Sequence, residues 1–186
     1  MKLCFYGNRL LDQSEHERVE DFSSIEPVRD AMERAMAAYG FRGMSAPQVG
    51  VSAQLIVVRI EDGRYIDMVN PEITRMYGVE YEYSESCASC PPSSNTCFVP
   101  RMQIIHVEAS SVNSPTVKEW RFKGIDSRVI QHEIDHLSGT WFFDRVDERH
   151  RESVLGQFKA WKRQWASNGR EFPFKGVSRY AKKVYS

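Results

Sequence analysis

The nine residues from Gln131 to Gly139 (QHEIDHLSG) constrain the fold and chemistry of this chain more than any other segment. They contain the pattern H-E-x-x-H, flanked by apolar residues at helical spacing. Residues four apart share one face of a helix, so His132 and His136 can bind one metal ion. Glu133, one position along, can reach a water on that ion without binding it. The alternative is a helix with two ordinary histidines beside a solvated glutamate.

Two histidines do not complete a catalytic metal site, which usually has three protein ligands. Downstream of the motif the candidates for a third ligand are few: Asp144, Asp147, Glu148 and His150. Upstream lies Cys87, in the segment ESCASCP. A cysteine thiolate beside two imidazoles makes a softer site that suits Fe(II), zinc or similar ions.

The same upstream segment contains a C-x-x-C pattern, Cys87 to Cys90, which has two other interpretations. A thioredoxin-like redox pair would place the pattern at the start of a helix, and Pro91 and Pro92 argue against a helix there. A structural zinc site would need a second cysteine pair at suitable spacing, and only Cys97 follows.

The hydrophobic pattern predicts an α+β fold in which largely antiparallel sheets pack around the central metal-binding HExxH helix, with an amphipathic C-terminal helix. The predicted helices are Ser24–Tyr39, Gly124–Ser138 and Glu148–Trp165. The predicted strands are Gln54–Ile60, Tyr65–Val69, Val79–Tyr83, Gln103–Val107 and Val117–Phe122. Asn70 and Pro71 are expected to end the second strand.

The charge distribution divides the chain, although its formal net charge is zero. Residues 1–148 carry a net charge of −8 and residues 149–186 a net charge of +8. No apolar run approaches the ~20 residues of a membrane span, and residues 1–20 are too polar for a signal peptide. We therefore expect a single domain, 1–186, in the cytoplasm, with the basic segment 149–186 outside the chemistry and no membrane partner.

A third segment, Gly43 to Gly50 (GMSAPQVG), precedes the first strand. Its small residues would let the backbone approach a substrate closely, and Gln48 can donate hydrogen bonds from its amide. By itself this segment is equally typical of a tight turn.

Together the three segments resemble the peptide deformylase family. The family pattern is GxGLAAxQ, then EGCLS, then QHExDHL, and this chain has FRGMSAPQ, ESCAS and QHEIDHL in the same order. The resemblance extends from about residue 5 to 150. Phe41 replaces the first glycine of the first pattern, and Ser86 and Ala88 replace the glycine and leucine of the second.

The resemblance implies hydrolysis of the N-formyl group from the N-terminal methionine of nascent chains, which yields formate. It implies one metal ion held by Cys87, His132 and His136, with Fe(II) as the working ion and zinc, nickel or cobalt as substitutes. Glu133 would transfer the proton from water to the departing nitrogen. The developing oxyanion would accept hydrogen bonds from the Gln48 amide and the Ala88 N–H.

The remaining expectations concern the surroundings of that site. Glu85, paired with Arg101, would orient the metal ligands. The substrate methionine would be bound by Gly43, Tyr83, Ile125 and Val129, although each apolar residue has an equal interpretation as plain core. The basic segment could dock on the ribosome, and no DNA partner is expected. The alternatives are a general zinc endopeptidase and a non-catalytic binding module with a basic tail.

Overall fold

The computed structural model describes residues 3–167, and the expectations for residues 168–186 lie outside the described residues. The helices are α1 (Phe22–Tyr39), α2 (Gly124–His136) and α3 (Glu148–Ser167). The strands are β1 (Gly43–Ser45), β2 (Leu55–Arg59), β3 (Tyr65–Glu85), β4 (Cys97–Ser111) and β5 (Ser114–Lys123). The predicted α+β class with a largely antiparallel sheet is confirmed.

The five strands form one antiparallel sheet in which neighbours in sequence are neighbours in space, in the order β1-β2-β3-β4-β5. Apolar residues of β2, β4 and β5 on one face pack against α2 in a shared hydrophobic cluster. Since this helix lies against four of the five strands, the sheet fixes its position firmly. The sequence from Gly124 to His136 is therefore held against the sheet, and one of its faces is free to form a site.

Helix α1 begins and ends with residues suited to those positions. The Asp21 carboxylate accepts a hydrogen bond from the Ser23 N–H at the first turn, and Gly40 ends the helix in the left-handed conformation, φ +73°. Its apolar face, which includes Met32 and Met36, is fully buried against β1 and β2. The chain leaves this helix directly into the segment that precedes β1.

The prediction that Asn70 and Pro71 end a strand is wrong. β3 continues through them to Glu85, and the separate strand predicted at Val79–Tyr83 is part of it. Asn70 takes a positive φ of 52°, and the register with β4 shifts between Val69 and Glu72. Such a bulge accommodates the missing proline N–H and bends the strand without ending it.

Helix α3 packs against the segment that contains Cys87, Cys90 and Cys97. Val154 and Phe158 are buried in a cluster with Trp141, Phe143 and the cysteines of the 87–97 segment. This cluster connects α3 to the loop that follows β3. Within residues 3–167, no helix is long and apolar enough to cross a membrane.

Candidate active site

Two distant parts of the chain meet at one buried cluster of three residues. Cys87 comes from the loop after β3, and His132 and His136 come from α2. The sulfur of Cys87 and one ring nitrogen of each histidine all lie within 4.8 Å of one another, and all three residues are buried. Among the described residues, this is the one group of three or more potential ligands placed to share an ion.

The chemistry of these donors fits a divalent metal ion. Ligand atoms that share a tetrahedral ion lie roughly 3.5 Å apart, and Cys87 Sγ lies 3.2 Å from His136 Nε2. His132 Nδ1 hydrogen-bonds Glu85 Oε2 at 3.0 Å, which leaves Nε2 for an ion. Bonding of the second ring nitrogen to a carboxylate is the usual arrangement of a metal-ligating histidine.

The pKa values of the two histidines are shifted in opposite directions. Burial opposes the imidazolium, but hydrogen bonds with Cys87 and Glu85 raise the pKa of His132 well above its usual value. Burial and the nearby charge of His132 lower the pKa of His136. Because a ligating imidazole must be neutral, binding of a cation would displace a proton from His132.

Glu133 lies next to the cluster without belonging to it. Its side chain is 4% exposed, and its Oε2 has no hydrogen-bond partner among the described residues. Burial raises the pKa of this carboxyl to about 7. A carboxyl of this kind can take up and release a proton near neutral pH.

Gly43 explains how β1 comes so close to Glu133. A Cβ at Gly43 would lie 2.5 Å from Glu133 Oε1 and 2.8 Å from Val129 Cγ1, closer than such atoms approach. Any side chain here would push Glu133 or α2 aside. This glycine is therefore required by the close contact between the strand and the helix.

Gln48 is fixed by hydrogen bonds at both ends of its amide. Its Oε1 accepts the Ser45 N–H at 2.8 Å. Its Nε2 donates to Cys87 Sγ at 3.4 Å and to Ser89 Oγ at 3.2 Å. The amide N–H groups therefore point toward the cluster, and Ala88 lines the same cavity.

A buried ion-pair network centred on Glu85 contacts His132 at the ring nitrogen that does not face the potential ion. Glu85 accepts hydrogen bonds from Arg101 at 2.6 and 2.9 Å, and Arg101 also donates to Asp135 at 2.8 Å. Burial alone would raise the pKa of Glu85, but the hydrogen bonds from His132 and Arg101 hold it far below its usual range. Glu85 is therefore ionised and fixes the ring of His132.

The sequence analysis missed Arg128, which belongs to this network. Its guanidinium donates to Glu85 Oε1 at 2.6 Å and to the carbonyls of Val99 and Tyr81. Arg128 lies four residues before His132, so the helical repeat already placed both on one face. That spacing could have identified it. Asp135 and its partner Arg145 were also missed.

A cavity of about 680 Å³ opens onto the cluster, within the ~300–1,000 Å³ range of small-molecule sites. The residues expected to bind substrate all line it: Gly43, Tyr83, Ile125 and Val129. It is also lined by His132, Glu133, Cys87 and Gln48. The structure therefore brings the candidate ligands, proton carrier and apolar residues to a single site.

Cys90 lies outside the group of potential ligands. It is fully buried in the cluster beneath α3, where Asn95 Nδ2 lies 3.6 Å from its sulfur. The Cys90 N–H donates to the Cys87 carbonyl in a turn, not in the first turn of a helix. The surroundings that either C-x-x-C interpretation needs are therefore not found among the described residues.

Comparison with known proteins agrees with this geometry. A buried sulfur and two imidazoles beside a separate carboxyl, on an α+β fold, define a metalloenzyme of the hydrolase class. The family model described as polypeptide deformylase matches residues 1–152. The chain therefore belongs to the peptide deformylase family, enzymes that remove the N-formyl group from nascent chains. The predicted family and enzyme class are confirmed.

Individual relatives show how far the similarity extends. The chain is 41% identical over 123 residues to a peptide deformylase of Dictyoglomus thermophilum, which is 66% of this chain and 76% of the relative. It is 31% identical over 161 residues to that of Treponema pallidum, covering 86% and 96%. The crystal structure of peptide deformylase from Thermus thermophilus superposes with a TM-score of 0.79 at 32% identity, covering 90% and 98%.

Proposed function

We propose that this chain hydrolyses the N-formyl group of formylmethionyl peptides in the cavity that opens onto the cluster of Cys87, His132 and His136. The observation that carries the proposal is the convergence of these donors with Glu133 at one end of an apolar cavity. An ion held by Cys87, His132 and His136 would act as a Lewis acid and would lower the pKa of the attacking water toward about 7. Fe(II) is the proposed working ion, with zinc, nickel or cobalt as substitutes.

Glu133 is the proposed proton carrier. It takes a proton from the attacking water as the water oxygen bonds to the formyl carbon. It then gives that proton to the methionine nitrogen as the C–N bond breaks, so the products are formate and a free amine. Its burial and its pKa near 7 support both halves of this transfer.

Gln48 and Ala88 are the proposed donors to the developing oxyanion. The Gln48 amide is held by Ser45 and already presents its N–H groups to the cavity. The bond from the Ser45 N–H fixes the amide before the reaction, and fixed donors stabilise developing negative charge well. The N–H groups bond the Cys87 sulfur and Ser89 Oγ in this structure, so one of them changes its acceptor to the oxyanion.

The substrate methionine is proposed to lie along α2. Val129 and Ile125 are half-buried on the helix face that lines the cavity, about one and two turns before Glu133. Gly43 also lines the cavity, and Tyr83 borders it nearer to solvent. Glu85 and Arg101 hold the ligands in place from behind.

The proposal predicts formate release from a formyl-Met-Ala-Ser peptide, loss of that activity with a chelator, and its return when Fe(II) is added back. Formate is measured enzymatically under anaerobic conditions. An unformylated Met-Ala-Ser peptide is the control for formate release. Cleavage of an internal peptide bond is measured in the same samples. Cleavage of the internal bond would instead favour the general zinc endopeptidase, and no release with metal bound would favour the binding module.

The remaining proposals concern the whole chain. We propose that residues 1–186 form a single catalytic domain in the cytoplasm, acting on formylmethionyl nascent chains. The exposed side of α3 carries Arg149, Lys159, Lys162 and Arg163, and further basic residues follow in the sequence between 168 and 186. Such a surface suits a polyanion, and the ribosome is the polyanion from which the substrate emerges.

Deletion of residues 169–186 is expected to weaken ribosome binding by about tenfold at low salt, because it removes a cluster of cations. Hydrolysis of formyl-Met-Ala-Ser should be unchanged. Co-sedimentation with ribosomes at two salt concentrations measures the effect, and high salt should abolish the difference between the two proteins. Equal sedimentation of full-length and truncated protein at low salt would refute ribosome docking.

A further inference from the structure

Three aromatic side chains line the end of the cavity away from the metal-ligand cluster. Tyr39 and Tyr83 are 43% and 54% exposed, whereas Cys87, His132 and Glu133 are each at most 8% exposed. The third aromatic residue, Phe41, is half-buried and lines the same cavity. The cavity therefore runs from a buried polar end to an exposed aromatic end.

The aromatic rings are held in place before any ligand binds. The Tyr39 and Phe41 rings stack with centroids 5.9 Å apart and an interplanar angle of 23°. The Arg128 guanidinium lies 5.7 Å from the Tyr83 ring centroid, within the range of a cation–π contact. Preorganised rings lose little entropy on binding, so they suit ligand contact.

Position separates these rings from the other exposed apolar residues of the described chain. Met76, Val79, Phe98 and Val117 are also exposed, but none of them lines the cavity. Isolated apolar residues on a surface need no explanation, whereas exposed aromatics grouped at the mouth of a site are typical of binding surfaces.

The two arginines that line the cavity both have carboxylate partners. Arg42 lies 3.6 Å from Asp126, and Arg128 is buried against Glu85. The loop from 91 to 98 contains no lysine or arginine. The large exposed side chains that line this end of the cavity are therefore mainly aromatic.

We propose that Phe41, Tyr39 and Tyr83 form a subsite for an apolar or aromatic side chain at the second residue of the formylated peptide. This inference rests on the proposed function. Side chains of an extended chain alternate in direction. If the methionine faces α2, the next side chain faces away from that helix, toward the flanking segments that carry the three rings.

The subsite is a property of this chain's own sequence. Phe41 stands where the deformylase pattern has its first glycine, so the ring that completes the stack with Tyr39 comes from that departure. The substitution therefore adds an aromatic contact surface where the pattern offers only backbone.

The test compares kcat/KM for formyl-Met-Phe-Ser, formyl-Met-Ser-Ser and formyl-Met-Asp-Ser. We expect the phenylalanine peptide to exceed the serine peptide by about tenfold. Phe41→Gly and Tyr39→Ala should each reduce this ratio by about threefold or more, with the rate for the serine peptide within about twofold of wild type. The effect should appear mainly in KM.

Phe98→Ala is the matched control, because Phe98 is an exposed aromatic that does not line the cavity. Phe41 also packs against the α1 core, so thermal unfolding is measured for each variant. Tyr39→Ala tests the subsite if Phe41→Gly does not fold, because Tyr39 is exposed at the end of α1. Equal rates for the three peptides, a preference unchanged in both variants, or a preference that follows the third residue in formyl-Met-Ser-Phe would overturn the subsite. Failure to release formate from any peptide would instead overturn the proposed function.

Discussion

Glu133→Gln is expected to lower kcat for formyl-Met-Ala-Ser by about 10²–10⁴, the usual contribution of a positioned proton carrier. Glutamine has nearly the same shape and fills the same buried position against Gly43, but its amide cannot accept and return a proton. Because Glu133 is not one of the three potential ligands, metal content should be unchanged. Metal analysis and steady-state kinetics on the same anaerobic preparation measure both quantities.

The control is Glu108→Gln, which makes the same chemical change at an exposed residue of β4. It should leave kcat within about twofold of wild type, since surface substitutions have small effects. Near wild-type turnover of Glu133→Gln with metal bound would show that proton transfer does not pass through this residue. A loss of metal together with activity would instead make Glu133 part of the ion site.

The sequence predicted the polar end of the site because its chemistry is local in the chain. His132, Glu133 and His136 occupy one stretch of helix, and their helical spacing decides their relative placement. The structure adds the contact between Gly43 and Glu133, which depends on how closely β1 approaches α2. Such a distance follows from tertiary packing and cannot be calculated from spacing along the chain.

The fold was predicted in class and in most of its helices, but the strands were predicted too short. Asn70 and Pro71 carry the usual signals for the end of a strand, yet β3 passes through them. Pairing with β4 on both sides of the bulge compensates for the lost hydrogen bond. Local propensity therefore failed where the long-range pairing of 65–85 with 97–111 overrides it.

The ion-pair network also depends partly on local sequence and partly on long-range packing. The pairing of Glu85 with Arg101 was proposed from the family pattern, but Arg128 was missed although it lies on the same helix as His132. Its role depends on its hydrogen bonds to Glu85 at the end of β3 and to the Val99 carbonyl of β4, which are far from it in sequence. An arginine on a helix has many possible partners, and the folded arrangement of the strands determines which of them it contacts.

Cys87→Ser is expected to weaken metal binding by more than about 100-fold, because it replaces a thiolate ligand with a hydroxyl, whereas changes behind a ligand already cost about 10–100-fold. Serine is similar in size and can still accept the hydrogen bond from Gln48 Nε2. The loss should therefore reflect the ligand chemistry and not a collapse of the loop. Chelator competition with zinc and with Fe(II) measures the affinity.

Cys90→Ser is the matched variant three residues away, and it should retain metal affinity within about twofold of wild type. Cys90 is fully buried, and burial raises the pKa of its thiol well above the usual range, so it stays protonated and is a poor ligand. A buried hydroxyl here costs about 1–3 kcal/mol of stability, which thermal unfolding should detect. Equal loss of metal in both variants would assign the ion to the C-x-x-C pair and would contradict a site built from Cys87, His132 and His136.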